Sequence, residues 1–326
     1  MTATADLPFK FKFVKNGRTQ SLFPKKGTAT QDSIVLEKDV LSYDDIVDTT
    51  TRDQRIVLAL SSTNNLSSSL QKSLAGGSAI VLEVSGVKAQ DLEKQVDRIA
   101  SQKAIDKRKQ HLLEIGQGHL LRVVSCSDCE ATLDLTDYER SSHIYCRFCE
   151  SILKENQPPL AQGSTYRVCD ECGLFDRIRG YTEFYFFFFV IAYAFSYKRR
   201  YVCDHCANGL FWKTFLTNLI FILGIPASIY IKIKSMSGRD PALKELARAN
   251  ALAKKGQYDK AAPIYSQLSQ NYLEHPGLLM NEGMGHLVAE DPVGAVQCWQ
   301  RSLQSCSNYH PTLGLLYNLQ NPSQKS

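Results

Sequence analysis

The chain has 326 residues, of which 44% are hydrophobic and 22% charged, and its formal net charge is +5. This length and composition are those of a globular protein with two or three domains, each able to bury a core. The first residues, MTATADLPFKFKF, contain no apolar stretch of signal-peptide length, which argues against secretion.

Positive charge is concentrated in residues 1–30. This segment carries six Lys and Arg residues against Asp6 alone, an excess equal to the net charge of the whole chain. A basic face attracts phospholipid or nucleic acid, but it is also the ordinary composition of a solvated surface. The charge alone does not choose between these interpretations.

Residues 8–86 read mostly as strands. The runs FKFKFV, QDSIVLEKDVL, RIVLAL and SAIVLEVSG are alternating or rich in β-branched residues, and turn segments such as KNGR and SSTNNLSSS separate them. From Val87 the apolar residues recur at helical spacing, which predicts a helix that continues toward Leu113.

This order of elements, with several strands followed by one amphipathic helix, resembles a pleckstrin-homology-like domain in residues 1–115. The phrase DSIVLEKDVLSYDDIVDTTTRDQRIVLAL is similar to the middle strands of bacterial members of that superfold. The resemblance implies a bent sheet plugged by the helix. Members of the family bind lipid, peptides or their own neighbouring domains, and fold analogy cannot choose among these ligands. We expect docking to protein or to the rest of the chain before lipid.

Eight of the ten cysteines form four Cys-x-x-Cys pairs, each able to present two thiolates on one turn. Sixteen residues separate the first two pairs, as in a zinc ribbon, and thirty separate the last two. In a reducing compartment such pairs bind metal more often than they form disulfides. We predict two structural Zn²⁺ sites with these ligands: Cys126, Cys129, Cys146 and Cys149 in residues 116–160, and Cys169, Cys172, Cys203 and Cys206 in residues 161–209.

The ribbon pattern is matched only in part. Among the residues that follow the four pairs, one is the glycine common in ribbon turns, and the others are not: Gly173 against Glu130, Glu150 and Ala207. The precise shape of the turns therefore stays open.

Two histidines and the two remaining cysteines are not predicted to bind metal. His143 and His205 are close enough along the chain to replace a ligand, but four cysteines per site leave no vacancy, so we interpret both as bystanders. Cys298 and Cys306 are interpreted as buried thiols.

Nothing in the sequence indicates catalysis. A site closed by four cysteines has no open position for water or substrate. No Gly-rich phosphate loop and no Ser-His-Asp or Cys-His set is present, and no small-molecule substrate is inferred. The first ribbon carries six acidic residues against Arg140 and Arg147, which argues against nucleic-acid binding through it.

Two apolar segments follow. The run FYFFFFVIAYAF, residues 184–195, is shorter than the roughly seventeen residues that a spanning helix needs, and its residue types favour strand. Residues 214–231 contain no charge over eighteen positions, with Trp212 and Tyr230 placed like interfacial aromatics. We predict an apolar, membrane-type helix in residues 210–234; the alternative is a buried core helix.

Two topologies are compatible with these segments. If both insert as a hairpin, Cys203 and Cys206 lie across the membrane from their partners, and the second zinc site is lost. If only residues 211–231 insert, the site survives and the aromatic run becomes the β-hairpin arm of the second ribbon. We favour the second topology on length and on metal ligation.

Residues 240–321 repeat at a period of 34 residues, so that Ala261 aligns with Ala295 and Tyr265 with Trp299. The stretch AKKGQYDKAAPIYSQL resembles the tetratricopeptide motif, and the second copy departs from it at Glu290, where the first has glycine. The resemblance implies helix pairs with a shallow face for a protein or peptide partner, although the repeats can equally pack on the rest of the protein.

Together these features predict a multidomain α+β protein that acts as a membrane-associated, non-enzymatic adaptor or scaffold, with its main domains in the cytoplasm. Two other interpretations remain. One is a soluble zinc-ribbon regulatory or nucleic-acid-binding factor with a buried apolar helix, and the other is a thiol redox sensor whose cysteine pairs cycle without metal.

Overall fold

The computed structural model describes residues 6–154, 166–189, 192–219, 244–272 and 274–321, and only the backbone of residues 182–189, 192–199 and 218–219. Most of the predicted apolar helix 210–234 lies outside the described residues. The chain divides into two compact units, residues 1–137 and 138–326. Its mixture of strands and helices is of the α+β class that the sequence predicts.

The first unit contains an antiparallel sheet with two helices. The strands are β1 (Leu7–Lys15), β2 (Arg18–Thr19), β3 (Lys25–Ala29), β4 (Ser33–Leu36), β5 (Asp39–Ser42), β6 (Ile46–Arg52), β7 (Arg55–Leu60) and β8 (Ala79–Ser85), and the helices are α1 (Ser68–Lys72) and α2 (Ala89–Glu114). The sheet order is β5-β4-β3-β1-β8-β7-β6, and β2 pairs with β1. The predicted strands and the predicted long helix are confirmed.

The core of this unit follows from the alternation along β1. Phe9, Phe11 and Phe13 are buried, and they belong to the same apolar cluster as Leu92 and Val96 of α2. Side chains two residues apart share one face of a strand, so FKFKFV delivers its aromatic rings to the core and its lysines to the other face. A helix therefore covers the curled sheet, as the resemblance in residues 1–115 implies; the family itself stays a prediction.

The polar stretch SSTNNLSSS is not all turn. The Ser67 side chain caps α1 by accepting a hydrogen bond from the amide of Leu70 at 3.3 Å, and Leu70 is fully buried. Serine competes well for a helix N-cap, so a serine-rich segment starts a short helix where one apolar side chain can reach the core.

The second unit begins with short hairpins and ends in helices. Its elements are β11 (His143–Tyr145), β12 (Ile152–Lys154), β13 (Tyr166–Val168), β14 (Phe175–Phe189), β15 (Ala192–Cys203), α3 (Asp204–Leu219), α4 (Lys244–Lys254), α5 (Tyr258–Asn271), α6 (Pro276–Val288), α7 (Pro292–Ser305) and α8 (His310–Gln320). The remaining strands, β9 (Val123–Ser125) and β10 (Thr132–Asp134), form a hairpin in the first unit.

The aromatic run forms strands, as predicted. Strands β14 and β15 pair antiparallel from Ile178 opposite Cys203 to Phe189 opposite Ala192. Short β13 pairs with only the first three residues of β14. The hairpin therefore continues as two strands for most of its length. No helix within the described ranges combines the length and hydropathy needed to cross a membrane.

The helices from α4 onward pack on their neighbours in sequence, and α5 and α7 begin 34 residues apart. Gly256 takes a left-handed conformation (φ +72°) in the turn between α4 and α5, and Glu290 takes the same conformation (φ +61°) between α6 and α7. The second repeat thus keeps the turn geometry of the first with glutamate in place of glycine. The left-handed conformation is less favourable for Glu290, because its side chain has a Cβ.

Gly283 allows α6 and α7 to approach closely. A Cβ at this position would overlap the indole of Trp299, which is buried on α7 and donates a hydrogen bond to the carbonyl of Met280 at 3.2 Å. By contrast, a Cβ added to Gly314 on α8 would meet no atom within 4 Å. Gly283 therefore permits the close packing of α6 on α7, whereas Gly314 lies where a side chain would fit.

We expect Gly283→Ala to destabilise the second unit by about 1–3 kcal/mol, because the added methyl forces apart a packed pair of helices. Gly314→Ala is the matched control and should be neutral or stabilise by up to about 1 kcal/mol, because alanine is the better helix former. Urea unfolding followed by tryptophan fluorescence measures both. Equal effects of the two substitutions would contradict the close approach.

Candidate metal centres

The second group of cysteines converges from two places in the sequence, the turn with Cys169 and Cys172 and the junction of β15 and α3 with Cys203 and Cys206. Their four sulfur atoms lie within 4.8 Å of one another, and the sulfurs of Cys172 and Cys203 are 3.9 Å apart. Four ligands at the usual Zn–S distance of about 2.3 Å, placed at the corners of a tetrahedron, have sulfurs roughly 3.8 Å apart. The cluster therefore has the size of a four-thiolate zinc site.

The turn that presents Cys169 and Cys172 is held by its own backbone. The amide of Gly173 donates to the carbonyl of Cys169 at 2.9 Å, and the amide of Cys169 donates to the carbonyl of Leu174 at 3.0 Å. Gly173 is left-handed, with φ +70°. This conformation closes the turn and points both sulfurs to one side, as the Cys-x-x-Cys spacing predicts.

The first two pairs form the same turn without glycine. The amides of Glu130 and Glu150 donate to the carbonyls of Cys126 and Cys146 at 3.0 and 2.8 Å, and both glutamates are left-handed (φ +63° and +61°). Three of the four Cys-x-x-Cys pairs therefore form the same turn, although only the pair Cys169–Cys172 is followed by glycine.

The fourth pair is different because it lies at the junction of a strand and a helix. Cys203 ends β15, and Cys206 belongs to the first turn of α3. Asp204 lies in that turn and pairs with Arg179 of β14 at 3.5 Å. Ala207 continues the helix, so no left-handed residue is required there. The second site is therefore a turn combined with a helix start rather than two equal ribbon turns.

Donors surround the sulfur atoms of the second group. The amide of Cys203 donates to the sulfur of Cys169 at 3.3 Å, and the ammonium of Lys254 on α4 donates to the sulfur of Cys206 at 3.2 Å. A zinc ion with four thiolates carries two net negative charges, so an adjacent ammonium partly neutralises a loaded site. The lysine also joins the metal centre to the helical region.

The pKa values reflect these contacts. Hydrogen bonds with Cys172 and Cys203 hold the pKa of the Cys169 thiol well below its ordinary value, while the hydrogen bond to Cys169 raises the pKa of Cys203. Burial is the largest single influence on Lys254 and lowers its pKa, but the hydrogen bonds and charge interactions with Cys172, Cys206 and Cys203 together outweigh burial and raise the pKa of that lysine. Four thiolates this close need a cation, and a divalent ion supplies the charge.

The first predicted group is also brought together: the sulfurs of Cys126, Cys129, Cys146 and Cys149 lie within 4.8 Å of one another. Both tetrads can hold a metal ion, and all eight predicted ligands belong to one or the other. In the first unit, the turn with Cys126 and Cys129 rests on α2, where the amide of Thr132 donates to the Ser101 hydroxyl at 2.9 Å.

His143 and His205, which the sequence places near the cysteine pairs, do not contribute to the tetrads. His143 is buried, and its Nδ1 lies 2.9 Å from the Ser305 hydroxyl; burial lowers its pKa. His205 is exposed in the first turn of α3. Among the described residues, neither belongs to a group of candidate metal ligands.

Sequence reasoning missed a set of buried asparagines in the helical region. The side chain of Asn281 on α6 accepts from the amide of Phe175 at 2.8 Å and donates to its carbonyl at 2.6 Å. Asn250 on α4 donates to the same carbonyl at 3.1 Å and to the Asp176 carboxylate at 3.0 Å. Asn281 and Asn250 are also bonded to each other at 2.9 Å.

The segment between α7 and α8 repeats this arrangement. Asn308 accepts from the amide of Tyr145 at 2.9 Å and donates to its carbonyl at 2.8 Å. Tyr145 precedes Cys146, and Phe175 follows the turn of Cys169 and Cys172. We call Asn250, Asn281 and Asn308 the asparagine clasp, because their amides bind the backbones of the cysteine-bearing hairpins as a neighbouring strand would.

A signal for the clasp was present in the sequence. Asparagine is a poor helix former, yet Asn250 and Asn281 stand inside the runs RANALAKK and LLMNEGMG, where neighbours are apolar. A polar side chain at a buried helical position needs a partner, so it indicates a buried hydrogen-bonding role. The identity of that partner is not encoded locally.

The chain was compared with known proteins. No protein-family model matches it, and no curated protein or solved structure matches it.

We expect the purified protein to retain two zinc atoms per chain after dialysis against a weak chelator. Replacing Cys169 and Cys172 together with serine should reduce the content to one, because two of the four ligands of a closed site are lost. Cys306→Ser is the control, since this buried thiol lies outside both tetrads, and it should leave two. Elemental analysis of reduced protein measures each variant; a metal-free wild type would favour redox cycling.

A substitution in the asparagine clasp tests whether these side chains stabilise the second unit. Asn281→Asp replaces a donor with an oxygen that faces the carbonyl of Phe175, so we expect destabilisation of about 3 kcal/mol or more. The exposed Asn321→Asp is the matched control and should change stability little. Hydrogen exchange of the peptide 166–181 should accelerate in the first variant alone. Unchanged exchange would show that the clasp does not hold the hairpin.

Proposed function

We propose that the protein is a membrane-associated, non-enzymatic adaptor whose two zinc sites are structural. One observation carries the proposal: both apolar segments arise from the second cysteine tetrad. The hairpin of β14 and β15 begins and ends at this tetrad, and α3 starts on it and leads directly into the uncharged residues 214–231. A metal at this point fixes the base of both segments.

The two faces of α3 support a membrane role. Leu210, Phe211 and Thr214 are buried, whereas the side chains of Trp212 and Leu216 are 50% and 59% exposed. Trp212 and Leu216 are one helical turn apart, so they form an apolar patch on one side of the helix. A tryptophan beside an uncharged segment is the residue type favoured at the membrane interface.

The long hairpin supports the same conclusion. A two-stranded ribbon by itself is marginally stable in water, and this one carries the sequence FYFFFF in β14. Its backbone pairing reaches Phe189, well beyond the residues that pair with β13. An apolar environment such as a bilayer interface would stabilise the hairpin.

The adaptor role comes from the other modules. We propose that residues 240–321 are tetratricopeptide-like repeats that bind a protein partner, and that residues 1–115 form a pleckstrin-homology-like domain. The clasp occupies one face of the helices with the hairpins of the same chain, which limits where a peptide can bind. We therefore place the partner on surfaces that the clasp leaves open, or in competition with the hairpins. Both units are proposed to face the cytoplasm, where thiols stay reduced.

Membrane association is tested with the full chain. Ile222→Lys combined with Ile225→Lys should lower recovery with membrane vesicles at least tenfold, because each lysine costs about 2.5–3.5 kcal/mol at the centre of a spanning helix. The zinc content should stay at two atoms, which shows that the variant has folded.

The control removes apolar side chains elsewhere. Leu22 and Phe23 are 87% and 82% exposed in the loop between β2 and β3, close to the basic residues of the amino-terminal segment. Leu22→Ser with Phe23→Ser should leave vesicle recovery unchanged. Loss of vesicle recovery in this variant alone would show that the first unit makes the membrane contact. A wild-type protein that is monomeric without detergent and does not bind vesicles would favour the soluble alternative.

A further inference from the structure

A third group of metal-ligand side chains lies between α6 and α7. Glu282 and His286 are one turn apart on α6, and Cys298 faces them from α7; one ligand atom of each lies within 4.8 Å of the others. Residues four apart share a helix face, so the first two are presented together by the helix itself. The Cys298 side chain is buried, while Glu282 and His286 are half-buried.

The His286 ring is held in place by groups that are not ligands. Its Nδ1 lies 2.8 Å from the carboxylate of Asp291, and its ring centroid is 4.5 Å from that of Tyr258. When Nδ1 donates its proton to Asp291, the lone pair resides on Nε2. A histidine that donates to a carboxylate through one nitrogen is the usual arrangement of a histidine that binds metal through the other.

Asp291 is itself fixed. Its other carboxylate oxygen accepts from the amide of Gly294 at 2.9 Å, which caps the start of α7. A Cβ at Gly294 would overlap both the Asp291 carboxylate and the His286 ring. The absence of a side chain there allows the aspartate to reach the histidine.

The charges around the group suit a divalent cation. One thiolate, one carboxylate and one neutral imidazole together balance a charge of +2. The guanidinium of Arg301, on the same helix as Cys298, is engaged by Glu274 at 2.8 Å. Within the described residues, the Glu282 carboxylate forms no hydrogen bond, so its oxygens are available to a ligand.

We propose that Glu282, His286 and Cys298 form a third metal site, which binds a divalent transition-metal ion such as Zn²⁺. Imidazole, thiolate and carboxylate are all ligands of this ion, and three protein ligands leave one position for water or for an incoming group. The site therefore exchanges its metal more readily than the closed tetrads. It requires neither membrane binding nor the tetrads.

Cobalt tests the site directly. We add Co²⁺ to the full-length protein whose tetrads hold zinc and follow the absorbance of the thiolate–cobalt bond. We expect one additional equivalent to bind, with the band intensity of one thiolate rather than four and without zinc release. Cys298→Ser should abolish the band, and Asp291→Asn should weaken binding tenfold to a hundredfold, because it removes the carboxylate that orients His286.

Two further variants keep the test decisive. Cys306→Ser should bind cobalt like the wild type, because this thiol is not in the group. Glu282→Gln replaces a half-buried ligand with a side chain of similar shape, so it should weaken binding without unfolding the helices. A band that is absent from the wild type, or that persists in Cys298→Ser, would overturn the proposal, as would one that appears only with release of zinc from the tetrads.

Discussion

The arrangement of the second unit depends on the convergence of Cys169, Cys172, Cys203 and Cys206. It joins the end of β15 and the start of α3 to the turn that precedes β14, where the amide of Tyr201 also donates to the Asp170 carboxylate at 3.1 Å and Arg200 pairs with Glu171 at 2.7 Å. The ammonium of Lys254 extends this constraint to α4, since it lies 3.2 Å from the sulfur of Cys206. A metal bound by thiolates supplies folding energy to small elements with little core of their own. The hairpin, α3 and α4 are therefore joined at one point.

The asparagine clasp adds a second constraint of a different kind. Amide side chains satisfy backbone groups that would otherwise be buried without partners, as Asn281 does for both the amide and the carbonyl of Phe175. A buried polar network of this sort is stabilising only when it is complete, which favours one arrangement of hairpins and helices. The same contacts cover one face of the helices with a hairpin of the same chain.

Local pattern predicted the fold elements well. The alternation in FKFKFV, the helical spacing after Val87 and the short aromatic run each gave the element that the structure contains, because periodicity is a property of neighbouring residues. The spacing of cysteine pairs gave all eight residues of the two tetrads. Turn shape was harder, since Glu130 and Glu150 adopt the left-handed conformation that glycine usually takes. The sequence also gave no sign that the fourth pair would start a helix.

The sequence by itself determined most of the strands and the long helix α2, which cysteines come together in each tetrad, and where the apolar segments lie, but neither α1 nor the start of α3. Only the tertiary structure decided that Lys254 contacts Cys206 across 48 residues and that Asn281 binds Phe175 across 106. It alone brought Cys298, interpreted as an ordinary buried thiol, beside Glu282 and His286. The physical reason is that ligation and buried hydrogen bonding depend on distances between side chains. Those distances are set by how the helices and hairpins pack, which a one-dimensional pattern does not contain.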